Sequence, residues 1–211
     1  MIRVILVDDH AVVRMGFRLL LQAEASGIEV VGEFADGDTL LQSLPELAAD
    51  VIVMDLSMPG LGGLETLRRL RARDAAPAVL VLSAHEDAAH PRRALQAGAL
   101  GYLSKRSAPE ILPEAVRAVA GGRRYLDVRT AQNLAMSQLD GAASPFDALS
   151  EREFEVFVQL ARGRSVGDIA QTLNLSPSTV GTHLYNIKQK LGAGNQAELT
   201  LIALHWGLIE A

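Results

Sequence analysis

Five times between residues 3 and 104 the chain returns to a short apolar run: 3–7, 29–34, 51–55, 78–83 and 101–104. The segments between them carry helical spacing instead, as in Val12, Gly16, Leu19, Leu20 and Ala23, or in Leu112, Ala115, Val116 and Val119. That alternation leaves few folds open. Five βα units predict an α/β domain, a doubly wound five-stranded parallel sheet with helices on both faces. Gly121 and Gly122 stop the last helix of this half. A short helix over 128–139 then leads into Asp140, Gly141, Ala142, Ala143, Ser144 and Pro145, small and breaker residues that suit a linker. No strand pattern follows, so a second, smaller all-α domain is expected.

Composition closes other routes. A length of 211 residues suits two domains, and an apolar content of 49% supports packed cores. There is no cysteine, which removes disulfides, thiolate chemistry and cysteine zinc sites, and suits a reducing compartment. The first apolar run is broken by Asp8 and Asp9 too early for a signal peptide, and no later run is long enough to span a bilayer. The expected location is cytoplasmic, with no membrane partner. A formal net charge of −5 offers nucleic acid no global attraction, so contact with DNA has to be local.

Two apolar runs end in bare carboxylates: Val4, Ile5, Leu6 and Val7 stop at Asp8 and Asp9, and Val51, Ile52, Val53 and Met54 stop at Asp55. In neighbouring parallel strands these three acids meet at one sheet edge, where open α/β folds bind ligands. Like charges that close raise one another's pKa and stay ionised only with a cation among them. Hard oxygen ligands point to Mg²⁺. Ser83 ends the fourth run and Lys105 follows the fifth, adding a hydroxyl and an ammonium to the same edge. A lone aspartate after a strand is ordinarily a cap or turn former, and a lone lysine a surface residue; five such groups at the ends of four strands point to a phosphoryl site. His10, His85 and His90 have no metal-binding spacing and are read as surface or capping residues.

The strings Leu6-Val7-Asp8-Asp9-His10, Met54-Asp55-Leu56-Ser57-Met58-Pro59-Gly60 and Ala97-Gly98-Ala99-Leu100-Gly101-Tyr102-Leu103-Ser104-Lys105 resemble the receiver domains of bacterial two-component response regulators. The resemblance implies that Asp55 takes a phosphoryl group from a sensor histidine kinase. It implies that Asp9, Asp55 and the backbone carbonyl of Ser57 bind Mg²⁺ directly, with Asp8 acting largely through water. Ser83 and Lys105 would hold phosphoryl oxygens, and Tyr102 would swing inward as the switch aromatic; on the residues alone Tyr102 is equally a core side chain. Arg106 follows Lys105 where many receivers have proline, so the geometry of that peptide bond stays open.

After Pro145 the local signals are helical. Ser150 with Glu153 forms a capping box, and Phe154, Phe157, Val158 and Ala161 share a face that Gly163 ends. A second helix carries Val166, Ile169, Ala170 and Leu173. Asn174 and Leu175 turn, Ser176 caps, Pro177 fits the first helical position, and Val180, Leu184, Ile187 and Leu191 repeat up to the stop at Gly192. Asn195 caps a last helix bearing Leu199, Ile202, Ala203 and Trp206. Two helices joined by a short turn, with flanking helices to complete a small core, make a helix-turn-helix. The outward face of the helix from Pro177 offers Ser178, Thr179, Thr182, His183, Tyr185, Asn186, Lys188 and Gln189, with Lys190 beside them. These are hydrogen-bonding groups of useful length for base edges and phosphates, although any solvated helix face has a similar look.

Leu149-Ser150-Glu151-Arg152-Glu153, Asp168-Ile169-Ala170, Leu175-Ser176-Pro177-Ser178-Thr179-Val180, His183, Lys190-Leu191 and Ala197-Glu198-Leu199 resemble the LuxR-type helix-turn-helix. With the receiver, the chain resembles the NarL/FixJ family of response regulators. The stretch from Gly101 to Arg106 and the helical linker are similar to its UhpA-like members. The resemblance implies that the helix from Pro177 to Leu191 enters the major groove. Two departures stand out: Gly181 replaces the family's lysine after Thr-Val, and Val166-Gly167 replace its Asn-Lys. From Ser144 onward Arg152, Arg162, Arg164, Lys188 and Lys190 face Asp147, Glu151, Glu153, Glu155, Asp168, Glu198 and Glu210, a formal net charge of −2. A single domain is therefore expected to hold DNA weakly, making a pair of domains on the duplex more necessary.

The expectation is a DNA-binding transcriptional regulator, not an enzyme: a receiver over 1–122, a helical linker over 123–146 and a helix-turn-helix domain over 147–211. Its partners are a sensor histidine kinase, promoter DNA, RNA polymerase and, on activation, a second copy of itself. One rival is a Mg²⁺-dependent phosphohydrolase, against which Ser57 stands where an acid two positions beyond the nucleophile is needed. Another is an interaction module that has lost DNA through Gly167 and Gly181.

Overall fold

The computed structural model describes residues 1–23, 26–85, 87–139 and 144–209. They form two compact units, Met1–Leu139 and Asp140–Ala211. The linker read at 140–145 lies outside the described residues except for Ser144 and Pro145.

In the first unit the strands are β1 (Ile2–Val7), β2 (Ile28–Phe34), β3 (Val51–Asp55), β4 (Ala78–Ser83), β5 (Gly101–Ser104) and β6 (Tyr125–Leu126). Between and after them lie α1 (Ala11–Leu21), α2 (Gly37–Ser43), α3 (Gly63–Arg71), α4 (Ala89–Ala97), α5 (Ala108–Ala120) and α6 (Val128–Leu139). The sheet order is β2-β1-β3-β4-β5-β6, and every neighbouring pair is parallel.

Central strands read as continuous apolar runs because both their faces are covered. In β1, Ile5 and Val7 enter one core with Leu40, Leu67 and Tyr102, while Val4 and Leu6 enter the other with Leu21, Leu112 and Val116. The edge strand β2 is mostly half-buried.

Two expectations change. The sheet has six strands, not five: Tyr125 and Leu126 pair with Gly101 and Tyr102. Two residues are too few to show a period of two. Asp127 then locks the addition, accepting from Ser104 N at 2.8 Å and from Thr130 N at 2.8 Å at the start of α6. As a result α6 packs on α4 and β5 within the first unit. On α1 the inward side chains are Phe17 and Leu21, whereas Val12 and Leu19 are exposed. The apolar positions of α1 surround more than one face, and contact with the sheet selected the face containing Phe17.

The second unit contains α7 (Glu151–Ala161), α8 (Val166–Thr172), α9 (Pro177–Leu191) and α10 (Gln196–His205). Its starts are set by local hydrogen bonds. Glu153 N donates to Ser150 Oγ at 3.3 Å while Ser150 N donates to Glu153 Oε2 at 2.7 Å, a reciprocal cap. Ser176 Oγ accepts from Thr179 N at 3.0 Å, and Asn195 Oδ1 from Glu198 N at 3.0 Å. Asn174 takes the left-handed conformation (φ 51°) that turns α8 into α9. Phe146, Phe154, Phe157, Ile169, Val180, Ile187 and Leu199 are buried in this unit.

Candidate phosphoryl site and nucleic-acid interface

β1 and β3 run in register from Val4 opposite Val51 to Val7 opposite Met54, so the chain leaves both strands at one level and Asp8 emerges beside Asp55. β4 and β5 align Ser83 with Ser104, which brings Ser83 and Lys105 to the same edge. With β2 on one side of β1 and β3 on the other, this edge is the switch point of the sheet, where ligands of open α/β folds bind.

The side chains converge as the run ends predicted. Lys105 Nζ donates to Asp8 Oδ2 and to Asp55 Oδ2, 2.7 Å in each case. Asp8 and Asp55 are only 4% and 2% exposed. Asp55 Oδ1 accepts from Ser57 N at 3.2 Å, and Asp8 Oδ1 from His10 N at 2.8 Å. Burial pushes the Asp55 carboxyl above its ordinary value, against the pull of Lys105. Burial works against the Lys105 charge too, but Asp55 and Asp8 outweigh it and hold the ammonium's pKa above that of an ordinary lysine. The ammonium is thereby kept charged against the two carboxylates it bridges.

Asp8, Asp9, His10 and Asp55 each place one ligand atom within 4.8 Å of the others. Three carboxylates so gathered offer the hard, partly hydrated oxygen set that Mg²⁺ accepts; the residues fit the ion. His10 joins them through Nδ1, 2.9 Å from Asp9 Oδ1, a proximity that its adjacency in sequence made available.

Ser83 is fully buried, its Oγ accepting from His85 N at 3.1 Å. Tyr102 is likewise buried and already inward, its hydroxyl donating to the carbonyl of His85 at 2.8 Å. Burial pushes the Tyr102 phenol well up, so it remains a donor. Among the described residues every peptide bond is trans, the bond to Arg106 included. Sequence spacing missed His85, Asp87 and His90, which the fold gathers beside this edge; the one available signal was Asp87 three residues before His90 at a helix start.

On α9 the expected DNA-facing residues divide. Ser178, Thr179, Thr182 and Tyr185 are exposed, while Asn186 and Lys188 are half-buried. Thr179 Oγ1 lies 2.7 Å from Ser176 Oγ in the cap. Lys190 Nζ donates to Glu153 Oε2 at 2.6 Å, tying α9 to the start of α7. His183 turns part of its ring inward: Nδ1 is buried without a hydrogen-bond partner, and burial lowers its pKa in spite of nearby Glu153. Gly181 is exposed, with nothing within 4 Å of where a Cβ would stand.

The family described as response regulator receiver domain matches residues 4–117, and the luxR family of bacterial regulatory proteins matches residues 147–203. A receiver followed by such a helix-turn-helix domain defines a class, the DNA-binding response regulators of two-component systems. The response regulator UvrY of Escherichia coli (strain K12) is 41% identical over 213 residues, covering all of this chain and 97% of UvrY. The response regulator GacA of Pseudomonas aeruginosa is 40% identical, covering all of this chain and 99% of GacA. A solved structure of RcsB from Salmonella enterica serovar Typhimurium, bound to promoter P1flhDC in the presence of the phosphomimetic BeF3⁻, superposes with a TM-score of 0.68 at 30% identity, covering 95% of this chain and 97% of that one. The chain belongs to the NarL/FixJ family of response regulators, and as such is a transcriptional regulator.

Proposed function

We propose that Asp55 is the phosphoacceptor and that a sensor histidine kinase is the donor. One Asp55 oxygen bonds to phosphorus as the bond from phosphorus to the donor's imidazole nitrogen breaks, and the nitrogen keeps the electron pair. The observation that carries this reading is the Lys105 ammonium held 2.7 Å from both Asp8 and Asp55, a preset positive charge where phosphoryl charge arrives. Asp9, Asp55 and the carbonyl of Ser57 are the direct metal ligands in this reading, with Asp8 acting largely through water. Mg²⁺, when bound, offsets negative charge on the transferring oxygens. Lys105 then pairs with one phosphoryl oxygen and the Ser83 hydroxyl donates to another. Tyr102, hydrogen-bonded to the loop after Ser83, registers the change.

An acyl phosphate carries roughly two negative charges where the carboxylate carried one, and places them on three further oxygens at this edge, enough to bias a two-state surface. In functional terms the receiver ends near residue 122, and the 123–146 segment carries its state toward the DNA-binding region from 147. Two copies then hold two half-sites of a promoter, with Ser178, Thr179, Thr182, His183, Tyr185, Asn186, Lys188 and Lys190 of α9 as the contact set, and RNA polymerase reads the outcome. The place of action is the cytoplasm; no helix among the described residues is long and apolar enough to cross a membrane. We do not read the chain as an enzyme, because Ser57 occupies the position where a phosphohydrolase needs an acid.

Incubation with a small acyl-phosphate donor, followed by intact mass measurement, tests the reading. Phosphorylation is expected to require Mg²⁺ and to vanish in Asp55→Asn; label that persists in that variant places the phosphoryl group elsewhere. Ser83→Ala and Lys105→Ala should fold and yet uncouple phosphorylation from DNA affinity. If both switch like the parent, the relay is wrong.

A further inference from the structure

Two imidazoles and a carboxylate meet where β4 hands over to α4. The rings of His85 and His90 stack with centroids 3.8 Å apart and planes 5° from parallel. Asp87 Oδ2 lies 2.6 Å from His90 Nδ1, while its Oδ1 accepts from the N–H groups of Ala89 (2.9 Å) and His90 (3.0 Å). The side chains of Asp87 and His90 are 6% and 9% exposed, so this is no solvated face. Burial works to raise the Asp87 carboxyl, but His90 and His85 outweigh it and hold it down at about 2. One ligand atom from each of the three residues lies within 4.8 Å of the other two.

We propose that His85, Asp87 and His90 form a second metal site, selective for a borderline divalent ion of the Zn²⁺ class. Two imidazoles to one carboxylate separate it from the aspartate edge, where three carboxylates gather: Mg²⁺ prefers oxygen ligands, whereas imidazole suits Zn²⁺. A tetrahedral Zn²⁺ with bonds near 2.0–2.1 Å spaces its ligand atoms roughly 3.4 Å apart. Asp87 Oδ2 and His90 Nδ1, 2.6 Å apart, have to open by roughly 0.8 Å, while from the 4.8 Å limit no donor pair has to close by more than roughly 1.4 Å. Imidazole lone pairs lie in the ring plane, and two stacked, near-parallel planes cannot converge on one ion, so His85, half-buried, has to turn toward His90. His90 is already oriented by Asp87. The ion takes the place of the proton those two share, and water completes the tetrahedron, as at sites with three protein ligands.

Such an ion fastens the loop after β4 to the first turn of α4. The same loop presents the His85 carbonyl to Tyr102, and the His85 ring lies 3.3 Å from Ser57 Oγ through Nε2. Metal binding therefore opposes any movement that Tyr102 drives through this loop. That consequence rests on the switch role proposed for Tyr102; the binding itself does not.

The test titrates the full-length protein with Zn²⁺ alone, and in parallel with Co²⁺ as a spectroscopic probe, while millimolar Mg²⁺ occupies the aspartates. One equivalent is expected, with visible Co²⁺ bands reporting nitrogen ligation. His85→Ala and His90→Ala should each weaken binding about tenfold or more, and His10→Ala should leave it unchanged. Should the buried His90→Ala fail to fold, His85→Ala, on the loop, carries the test. Unchanged affinity in His85→Ala, or loss in His10→Ala in its stead, overturns the site.

Discussion

A Cβ added to Gly63, at the sheet edge, would stand 2.5 Å from the carbonyl oxygen of Asp55 and 2.5 Å from Leu56 Cα; one added to Gly181, on α9, would meet nothing within 4 Å. The same contrast runs through the functional groups of the two units. At the edge, two buried carboxylates and an ammonium already touch one another, and a buried hydroxyl is held by backbone beside them. On α9 the groups proposed to meet DNA stand mostly in solvent, and their neighbours are caps and the flank of α7. Chemistry on a transferred group calls for charge arranged in advance, whereas reading a duplex calls for side chains that remain available until the duplex arrives. Substitutions should therefore be costly and specific in the first region and mild and graded in the second.

Gly63→Ala is the sharpest way to break that contrast. Its Cβ collides with backbone, which cannot yield as a side chain does, so a loss of roughly 3 kcal/mol is expected in thermal unfolding of the first unit, together with slower phosphorylation. A melting temperature equal to the parent's would mean that the edge is looser than its contacts imply.

Next comes Glu153→Gln, on the second unit. Burial raises the Glu153 carboxyl, but its bonds to Lys190 and to Ser150 N outweigh this and hold it below its ordinary 4.5. A depressed carboxyl contributes stability that is present above pH 4.5 and lost as pH falls through the lowered pKa. The variant should cost about 2 kcal/mol at pH 7, and progressively less below pH 4.5; a cost independent of pH would remove the charge from the explanation.

Asp55→Asn should act in the opposite sense in metal-free protein. Because burial raises the folded-state pKa of Asp55, its contribution to stability is full below its ordinary value of 3.8 and is lost as pH rises through the raised one. The variant is expected to melt higher than the parent at pH 7, with the gain shrinking toward pH 4 and offset by Mg²⁺. A lower melting temperature at pH 7 would show that Lys105 compensates Asp55 fully.

The smallest effect belongs to Gly181→Lys. Helix propensity adds about 0.5–1 kcal/mol, no contact is displaced, and a cation joins the proposed groove-facing surface. Titration of duplex DNA at several salt concentrations should show tighter non-specific binding and a slope steeper by about one contact per domain. An unchanged slope would count against α9 as the reader of DNA.

Much of this was legible in the residues because the interactions are local or periodic. Apolar runs gave β1 to β5 to within a residue, and Ser150 with Glu153, Ser176 with Pro177, and Asn195 gave three helix starts of the second unit. The convergence of Asp8, Asp55 and Lys105 was legible too, although Lys105 and Asp8 stand 97 residues apart. Parallel register carries every strand end to one side, so knowing where the runs stop is nearly enough.

Other features had no such rule behind them. The strand β6 is too short to show a period, and its place follows from Asp127 binding the end of β5. The inward turn of His183 and the capture of Lys190 by Glu153, 37 residues away, depend on how α9 lies against α7, which the pattern of α9 does not encode. His85 and His90 stack five residues apart where Asp87 accepts from the first N–H groups of α4, a closeness that their spacing does not announce. The sequence by itself determined β1 to β5, three helix caps of the second unit and the acidic edge, since each follows from hydrogen bonds or burial within a short stretch repeated in register. The tertiary structure alone decided which helix faces turned inward and which polar groups outside that edge came together, because those outcomes depend on packing between segments with no shared period.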